Sequence, residues 1–181
     1  MWSFGFTLVE LLVAISILSI AILATFTAIS NNLRSSNFSQ DQTTAYFLAD
    51  EGIEFVRNWR DTNGIANTHA YATGGNVLWL TGLAQASGDP CYGTGKFCTV
   101  DVSQNLVSTC SSDASSCPLL HRDTLSGLYG YTSSWSNTNF KRSISIVVNS
   151  ATEVTVSSII TWTTNGVTKT YTLSEVLENW Q

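Results

Sequence analysis

The first thirty residues hold the longest apolar run of the chain. From Leu11 to Ile29, about 19 residues carry no ionisable side chain, and Glu10 is the one charged side chain before Arg34. At a rise of ~1.5 Å per residue, a helix of this length nearly matches the ~30 Å hydrocarbon core of a bilayer. The pattern therefore predicts a helix that can span a membrane.

The region after this run is first polar and then amphipathic. Residues 31–42 are mostly polar, and small or apolar side chains then recur at three- and four-residue steps. These are Ala45, Ala49, Gly52 or Ile53, Val56 and Trp59. This spacing places them on one helix face. Because Asn63 or Gly64 can adopt the left-handed conformation that closes a helix, we expect the helix to continue to about Arg60 and to end within residues 61–64.

The remainder of the chain has strand patterns near its C-terminus. Residues 65–139, rich in Gly, Ser, Thr and Asn, predict long loops with short strands that the pattern does not place. Residues 140–148 and 154–164 alternate as half-buried strands do. Asn165-Gly166 predicts a two-residue hairpin turn, because that pair tolerates positive φ angles. Four later side chains suggest a short terminal turn packed on the sheet. They are Leu173, Val176, Leu177 and Trp180.

The four cysteines lie within 27 residues, at Cys91, Cys98, Cys110 and Cys117, in a C-x6-C-x11-C-x6-C pattern. An even number in a loop-like stretch predicts two disulfides and an oxidising, extracytoplasmic location. The nearest-neighbour pairing is favoured, although four cysteines allow three connectivities. A structural zinc site, whose cysteines usually stand two to four residues apart, and free thiols are the alternatives.

Composition limits the classes of function. The chain has 181 residues, a net charge of −5 and 12% charged residues, which allows one soluble domain beyond the helix. It has no basic stripe, so nucleic acid is not a predicted ligand. Motifs for acyl transfer, phosphate binding or zinc proteases are absent, and His69 and His121 are isolated. We expect no enzyme activity, no metal and no cofactor.

Three further groups of residues are given structural interpretations. Residues 121–123, His-Arg-Asp, predict a polar surface turn. The acidic residues at 50, 51 and 54, with Arg57 after them, predict a solvated helix face with ion pairing. The tryptophans at 79, 135 and 162 could line a binding groove, but we favour the core, since no polar constellation accompanies them.

The order of residues at the start of the apolar run carries the most specific signal. The hexapeptide Gly-Phe-Thr-Leu-Val-Glu at residues 5–10, followed directly by the apolar helix, resembles the signature of the type IV pilin family, including pseudopilins. The resemblance implies that a membrane-embedded prepilin peptidase cuts after Gly5 and methylates the new amine of Phe6. It also implies that Glu10 is needed for assembly, because pairing with a neighbour's Phe6 amine would neutralise both charges.

The resemblance also implies a fold and a domain organisation. The fold class is α+β: a long N-terminal α-helix, half membrane-spanning and half amphipathic, packed on a C-terminal antiparallel β-sheet with a disulfide-stapled loop region. Residues 1–5 would be a leader and 6–30 a transmembrane or filament-core helix. Residues 31–62 would continue that helix into the head, and 63–181 would form the globular head.

The implied partners and location follow the same family. Partners are prepilin peptidase, other pilin subunits through the N-terminal helix, a membrane assembly platform with its motor ATPase, and lipid before assembly. The protein would cross the cytoplasmic membrane once, with an extracytoplasmic head, and then enter a surface pilus or an envelope pseudopilus.

Several alternatives remain open on the sequence. The apolar run contains no Gly or Pro, which predicts an unbroken helix and favours a minor pilin or a pseudopilin over a major pilin. Residues 1–5 contain no Lys or Arg, unlike most leaders of the family, which leaves an earlier translation start open. A membrane-anchored binding module that never polymerises is the alternative from another class. A plain anchor helix or a secretory signal explains the hydropathy but not the hexapeptide.

Overall fold

The chain forms one long helix followed by a seven-stranded sheet. The structure is a computed structural model that describes residues 5, 7–72, 78–110, 113–164 and 166–179, without the side chains of residues 68–72. The elements are α1 (Leu8–Ala72), β1 (Cys98–Asp101), β2 (Leu106–Thr109), a 3-10 turn (Ala114–Ser116), β3 (Leu119–Arg122), β4 (Tyr129–Gly130), β5 (Ser136–Val148), β6 (Glu153–Thr164) and β7 (Val167–Glu178).

The chain divides into two compact units, residues 1–41 and 42–181. The first unit contains the apolar part of α1, and nearly all of its described residues are exposed. Helix α1 runs without interruption from Leu8 to Ala72, as the absence of Gly and Pro in the apolar run predicts. The second unit contains the rest of α1 and the whole sheet.

The predicted end of the helix at about Arg60 is wrong. Helix α1 passes through Asn63 and Gly64 and ends at Ala72. Neither Asn63 nor Gly64 adopts the left-handed conformation that would close the helix. The side-chain amide of Asn63 donates to the backbone oxygens of Trp79 (3.1 Å) and Thr81 (3.0 Å), which connects this part of α1 to the segment that follows it. Tertiary hydrogen bonds thus override the local stop signal.

The sheet is antiparallel and is organised around β5. One edge of β5 pairs with β6, which pairs with β7. The other edge pairs with β3 near its start and with β1 at one position, Cys98 opposite Ile144. On this second edge, β4 pairs with β3 and β2 pairs with β1. The predicted strands at residues 140–148 and 154–164 are confirmed as parts of β5 and β6, and several short strands lie in the central region as expected.

The C-terminal segment differs from its prediction. Thr164 pairs with Val167, so a two-residue connection joins β6 to β7, as predicted, although Asn165 lies outside the described residues. Leu173, Val176 and Leu177 do not form a terminal turn; they belong to the twelve-residue strand β7. Strand β6 offers a backbone partner along its whole length, which favours a strand over a local turn. The predicted packing of Trp180 lies outside the described residues.

The core lies between α1 and one face of the sheet. The helix face predicted from the three- and four-residue spacing is confirmed: Ala45, Ala49, Ile53 and Val56 are buried and Trp59 packs against the core. From the sheet, the buried side chains include Ile144, Ile146, Val154, Val156, Ile160 and Trp162. The predicted α+β fold, a long helix on an antiparallel sheet with a disulfide-stapled loop region, is therefore confirmed.

Two buried features at this interface were not visible in the sequence. A Cβ added to Gly52 would lie 2.6 Å from Oγ of Ser158 and 3.0 Å from Cδ1 of Ile144, so glycine lets the helix approach the sheet closely. Arg142 is fully buried, and its guanidinium donates to the carboxylate of Glu51 and to the backbone oxygens of Leu48 and Val100.

The other structural interpretations are confirmed in part. Glu54 pairs with Arg57 on the solvated face of α1, but Glu51 pairs with Arg142 in the core. Residues 121 and 122 belong to β3 and do not form the predicted surface turn, which begins only at Asp123. Tryptophans 79 and 162 are buried in the core, whereas 135 is half-buried.

Candidate assembly site at the start of α1

The first turn of α1 is capped by a threonine. Thr7 precedes the helix, and its Oγ1 accepts a hydrogen bond from the backbone N–H of Glu10 at 3.3 Å. The backbone oxygen of Thr7 accepts the N–H of Leu11 at 3.2 Å. This is the N-cap arrangement, and Thr-x-x-Glu is the sequence signature of a capping box. We did not predict this role of Thr7, although the spacing itself contains the signal.

The side-chain carboxylate of Glu10 has no partner within the part of the chain that the structure describes. It lies in the first turn of α1, where the helix dipole favours a negative charge. Its side chain is exposed and makes no hydrogen bond or ion pair with a described residue. The carboxylate of Glu10 is thus exposed at the start of α1 and is not engaged by any described residue.

The predicted cleavage site lies between Gly5 and Phe6. A Cβ added to Gly5 would meet no heavy atom within 4 Å, so Gly5 lies in open space. The predicted role of Phe6, as the new N-terminus and methylation site, falls outside the described residues.

The apolar part of α1 presents its side chains outward. Among the described residues, one helix is long and apolar enough to cross a membrane, and none of its most apolar stretch is buried. The largest exposed side chains of this part are Leu8, Val9, Leu11, Leu12, Val13, Ile15, Ile17, Leu18, Ile20, Ile22, Leu23, Phe26 and Ile29. Such a surface is stable only in lipid or against other apolar surfaces.

The hydroxyl groups within the apolar part are satisfied inside the helix. Ser16 donates to the backbone oxygen of Leu12 at 2.8 Å, and Ser19 donates to that of Ile15 at 2.8 Å. Thr25 and Thr27 donate in the same way to carbonyls three and four residues earlier. These side chains therefore add no unsatisfied donor to the apolar surface, so Glu10 is the one polar side chain of the segment that has no hydrogen bond with a described residue.

The cysteines lie in the head and form two closed pairs. Disulfides join Cys91 to Cys98 and Cys110 to Cys117, with Cα–Cα distances of 5.1 and 4.9 Å. This is the nearest-neighbour connectivity that the sequence favours. The first disulfide belongs to the core, and no free cysteine occurs among the described residues. Within the described ranges, no three His, Cys, Asp or Glu side chains are grouped to hold a metal ion.

Comparison with known proteins identifies the N-terminal segment. Residues 3–26 match the family model described as the prokaryotic N-terminal methylation motif. No curated protein and no solved structure matches the chain. The matched segment includes the cap at Thr7, the exposed carboxylate of Glu10 and most of the exposed apolar helix. The motif indicates a structural rather than a catalytic protein. The chain carries the N-terminal signature of the type IV pilins and pseudopilins.

Proposed function

We propose that this protein is a structural subunit of a type IV pilus or a related filament, assembled through the first part of α1. The observation that carries the proposal is the combination of an exposed carboxylate at Glu10, which has no partner among the described residues, with an apolar helix whose described side chains are exposed. A membrane anchor needs only the apolar helix. Subunits that pack side by side also need a group that sets their register.

An acidic side chain at the edge of lipid is costly unless a cation compensates it. On insertion-based scales, a carboxylate at the centre of the membrane costs ~2.5–3.5 kcal/mol. Cleavage after Gly5 would make Glu10 the fifth residue of the processed chain and would give Phe6 a cationic amine. If that amine pairs with Glu10 of a neighbouring subunit, the two parallel helices are offset by four residues, on the order of 6 Å along the axis.

The energy of transfer into the filament is consistent with this arrangement. Lipid tails are about as apolar as the side chains of α1, so moving the helix from the bilayer into an apolar bundle changes its environment little. The assembly platform and its motor ATPase therefore need to supply only the small difference in free energy between the two environments and the work of moving the subunit out of the membrane. Before assembly, residues 6–30 would cross the cytoplasmic membrane, and residues 63–181 would form an extracytoplasmic head. Prepilin peptidase would remove the leader, residues 1–5.

The unbroken helix favours a minor pilin or a pseudopilin within this class. The apolar run of α1, residues 11–29, contains no Gly or Pro, and its hydroxyl side chains bond within the helix. A pseudopilin of a type II secretion or DNA-uptake system is the second candidate, because the same helix would serve a short envelope filament. A non-polymerising anchored module would leave Glu10 without a function.

Glu10→Ala in the native host tests the proposal. We expect the variant to be cleaved after Gly5 and to remain in the membrane, but to be lost from mechanically sheared surface filaments or from isolated pseudopili. Glu54→Ala is a matched control, because it removes an exposed carboxylate from the same helix outside the apolar part. Normal incorporation of Glu10→Ala would refute the assembly role of this carboxylate.

A further inference from the structure

Strand β7 forms a long edge of the sheet. Its twelve residues pair with β6 without a break in register, and no other described strand pairs with it. The outermost strands of the other two branches, β2 and β4, have only four and two residues. Native proteins usually keep edge strands short, because a long edge can pair with another chain. The β7 edge is therefore the part of this sheet that is best suited to hold a further strand.

Strand β7 also has few of the features that block such pairing. It contains no Pro, and its ladder with β6 has no bulge. Lys169 is its one basic residue, and the Glu175 carboxylate is held by Arg57 of α1, whose Nε donates to it at 3.1 Å. Most of its side chains are exposed, and many are β-branched, which favours the extended conformation. The free edge is thus open to a neighbouring strand.

The register shows which backbone groups face the free edge. Thr164 pairs with Val167 across a two-residue connection, and such a closing pair exchanges both of its backbone hydrogen bonds. The alternate pairs exchange none and bring side chains closer, as the 2.8 Å between the Ser157 and Ser174 hydroxyls indicates. The β7 residues of these pairs therefore direct N–H and C=O away from β6. They are Thr168, Thr170, Thr172, Ser174, Val176 and Glu178. A row of backbone donors and acceptors at this spacing is complementary to another β-strand.

The two faces of β7 define the side chains that suit this strand. On the α1 side, Tyr171 and Leu173 are only half-buried, and Tyr46, whose ring lies 6.0 Å from that of Tyr171, is 47% exposed. On the opposite face, hydroxyl side chains such as Thr170 and Thr172 alternate with them. Cross-strand neighbours on one face stabilise a sheet when they match. The complementary strand therefore alternates apolar and hydroxyl-bearing residues, with the apolar ones toward α1.

The end of β7 adds a preference for charge. Glu178 lies directly opposite Glu153 of β6, and neither carboxylate forms an ion pair with a described residue. Like charges at directly opposite positions destabilise a sheet. A basic side chain on a strand beside Glu178 would offset this repulsion.

A copy of the same subunit does not fit this edge within a filament. This step rests on the proposed function, in which subunits with parallel helices are related by a rotation and a shift along the axis. Two β7 edges can pair with each other only across a two-fold axis, which that arrangement does not contain. The outer strands β2 and β4 of a copy are too short to cover β7. The complementary strand therefore belongs to a different polypeptide.

We propose that the free edge of β7 binds an extended segment of another protein, which joins the sheet as an antiparallel strand. This segment alternates apolar and hydroxyl-bearing side chains and carries a basic residue beside Glu178. The backbone hydrogen bonds supply affinity, and the side chains with this one charge supply specificity. The head is thus a docking module for a partner that is not a copy of the subunit.

A synthetic peptide tests the edge on the full-length protein in detergent micelles. The probe alternates valine and threonine and has one lysine at its N-terminal end, which antiparallel pairing places beside Glu178. In the control peptide the threonines are N-methylated, because they would lie opposite the outward-facing residues of β7 and donate to them. We expect the fluorescein-labelled probe to bind at least about tenfold more tightly than the control. Bound probe should slow backbone hydrogen exchange in residues 167–178.

Variants of the edge test the mode of binding. Thr172→Pro removes an outward N–H and leaves the ladder to β6 intact, so it should weaken probe binding at least about tenfold, whereas Thr172→Val should not. Thr170→Pro makes the same test at the next outward amide if the first variant does not fold. Glu178→Lys should weaken binding about fivefold, and Asp50→Lys, the same charge change at an exposed site on α1, should have no effect.

The inference is overturned if the probe does not bind, binds no better than the control peptide, or binds the folded proline variant as well as the parent. In the native host, Thr172→Pro should enter filaments normally, whereas Glu10→Ala should not. Loss of Thr172→Pro from filaments would show that the subunits themselves use this edge, which contradicts a partner from outside. Failed probe binding with normal filament entry refutes the edge alone, and absence of the parent protein from filaments refutes the proposed function.

Discussion

The fully buried guanidinium of Arg142 on β5 donates to the carboxylate of Glu51 on α1, which connects the centre of the sheet to the helix. It also donates to the backbone oxygens of Leu48 (3.2 Å) and Val100 (2.7 Å). A buried charge is tolerated only when such partners are present. Removal of one partner therefore has a larger effect than the loss of a surface ion pair.

Glu51→Ala is expected to destabilise the head by about 2 kcal/mol, because it leaves a buried guanidinium without its counter-charge. Glu54→Ala, three residues along the same helix, removes a solvent-exposed pair with Arg57 and should cost less than about 1 kcal/mol. Urea unfolding of the detergent-solubilised full chain, followed by tryptophan fluorescence, measures both. Equal effects of the two variants would contradict the structural role of the Arg142–Glu51 pair.

Gly52→Ala is expected to destabilise the head by about 1–3 kcal/mol, although alanine is the better helix former. The added methyl group would lie 2.6 Å from Oγ of Ser158. That hydroxyl is buried and has no hydrogen-bond partner in the described structure, so Ser158→Ala alone should change stability little. The double variant Gly52→Ala/Ser158→Gly should recover part of the loss in the same unfolding experiment. A Gly52→Ala protein as stable as the parent would show that the helix can move away from the sheet at no cost.

The two disulfides close loops of the same length but lie in different surroundings. Each spans a sequence separation of 7, for which loop closure contributes about 2.5 kcal/mol. Replacing Cys91 and Cys98 together by serine should cost more than replacing Cys110 and Cys117. All four cysteines are buried, but only the first pair packs within the main hydrophobic cluster. Unfolding midpoints of the two double variants check this order. The opposite order would mean that packing within this cluster does not determine the contribution of each disulfide.

Tyr131 is expected to make the head sensitive to alkali. Burial raises its pKa to about 12, above the ordinary value of about 10. Because the folded-state pKa is the higher one, the contribution of this group to stability is complete below pH ~10 and is lost as the pH rises toward ~12. Ultraviolet titration of the folded protein should show one tyrosine ionising late, and Tyr131→Phe should remove that step. A titration in which Tyr131→Phe removes a step near pH 10 would contradict this burial effect.

Local signals in the sequence predicted most of the helices and strands. The predictions that were wrong or missing concern residues whose structure depends on contacts distant in the sequence. The periodicity of α1, the alternation in β5 and β6 and the turn at Gly166 are local properties. The helix end failed because Asn63 binds backbone oxygens 16 and 18 residues away. Burial of Arg142 could not be foreseen either, because its partner Glu51 lies 91 residues earlier.

The candidate site was more predictable than the fold around it, because its residues are adjacent in the sequence. Glu10, Gly5 and the apolar run are read from one continuous segment, and the structure adds the cap at Thr7 and the exposure of the Glu10 carboxylate. The cleft lined by Phe47 of α1 and by Arg122 and Tyr129 of the β3–β4 hairpin, in contrast, combines a helix with a hairpin some 75 residues later. No pattern in either segment indicates the other.

The central claim is that the chain is processed and enters a filament, and the N-terminal peptide tests it most directly. Mass spectrometry of this peptide should be carried out on membranes and on mechanically sheared surface material from the native host, with isolated pseudopili as the alternative fraction. We predict a peptide that begins at Phe6 and is heavier by one methyl group, present in membranes and in the filament fraction. An unprocessed N-terminus confined to membranes would contradict the account and would indicate a membrane-anchored protein that does not polymerise.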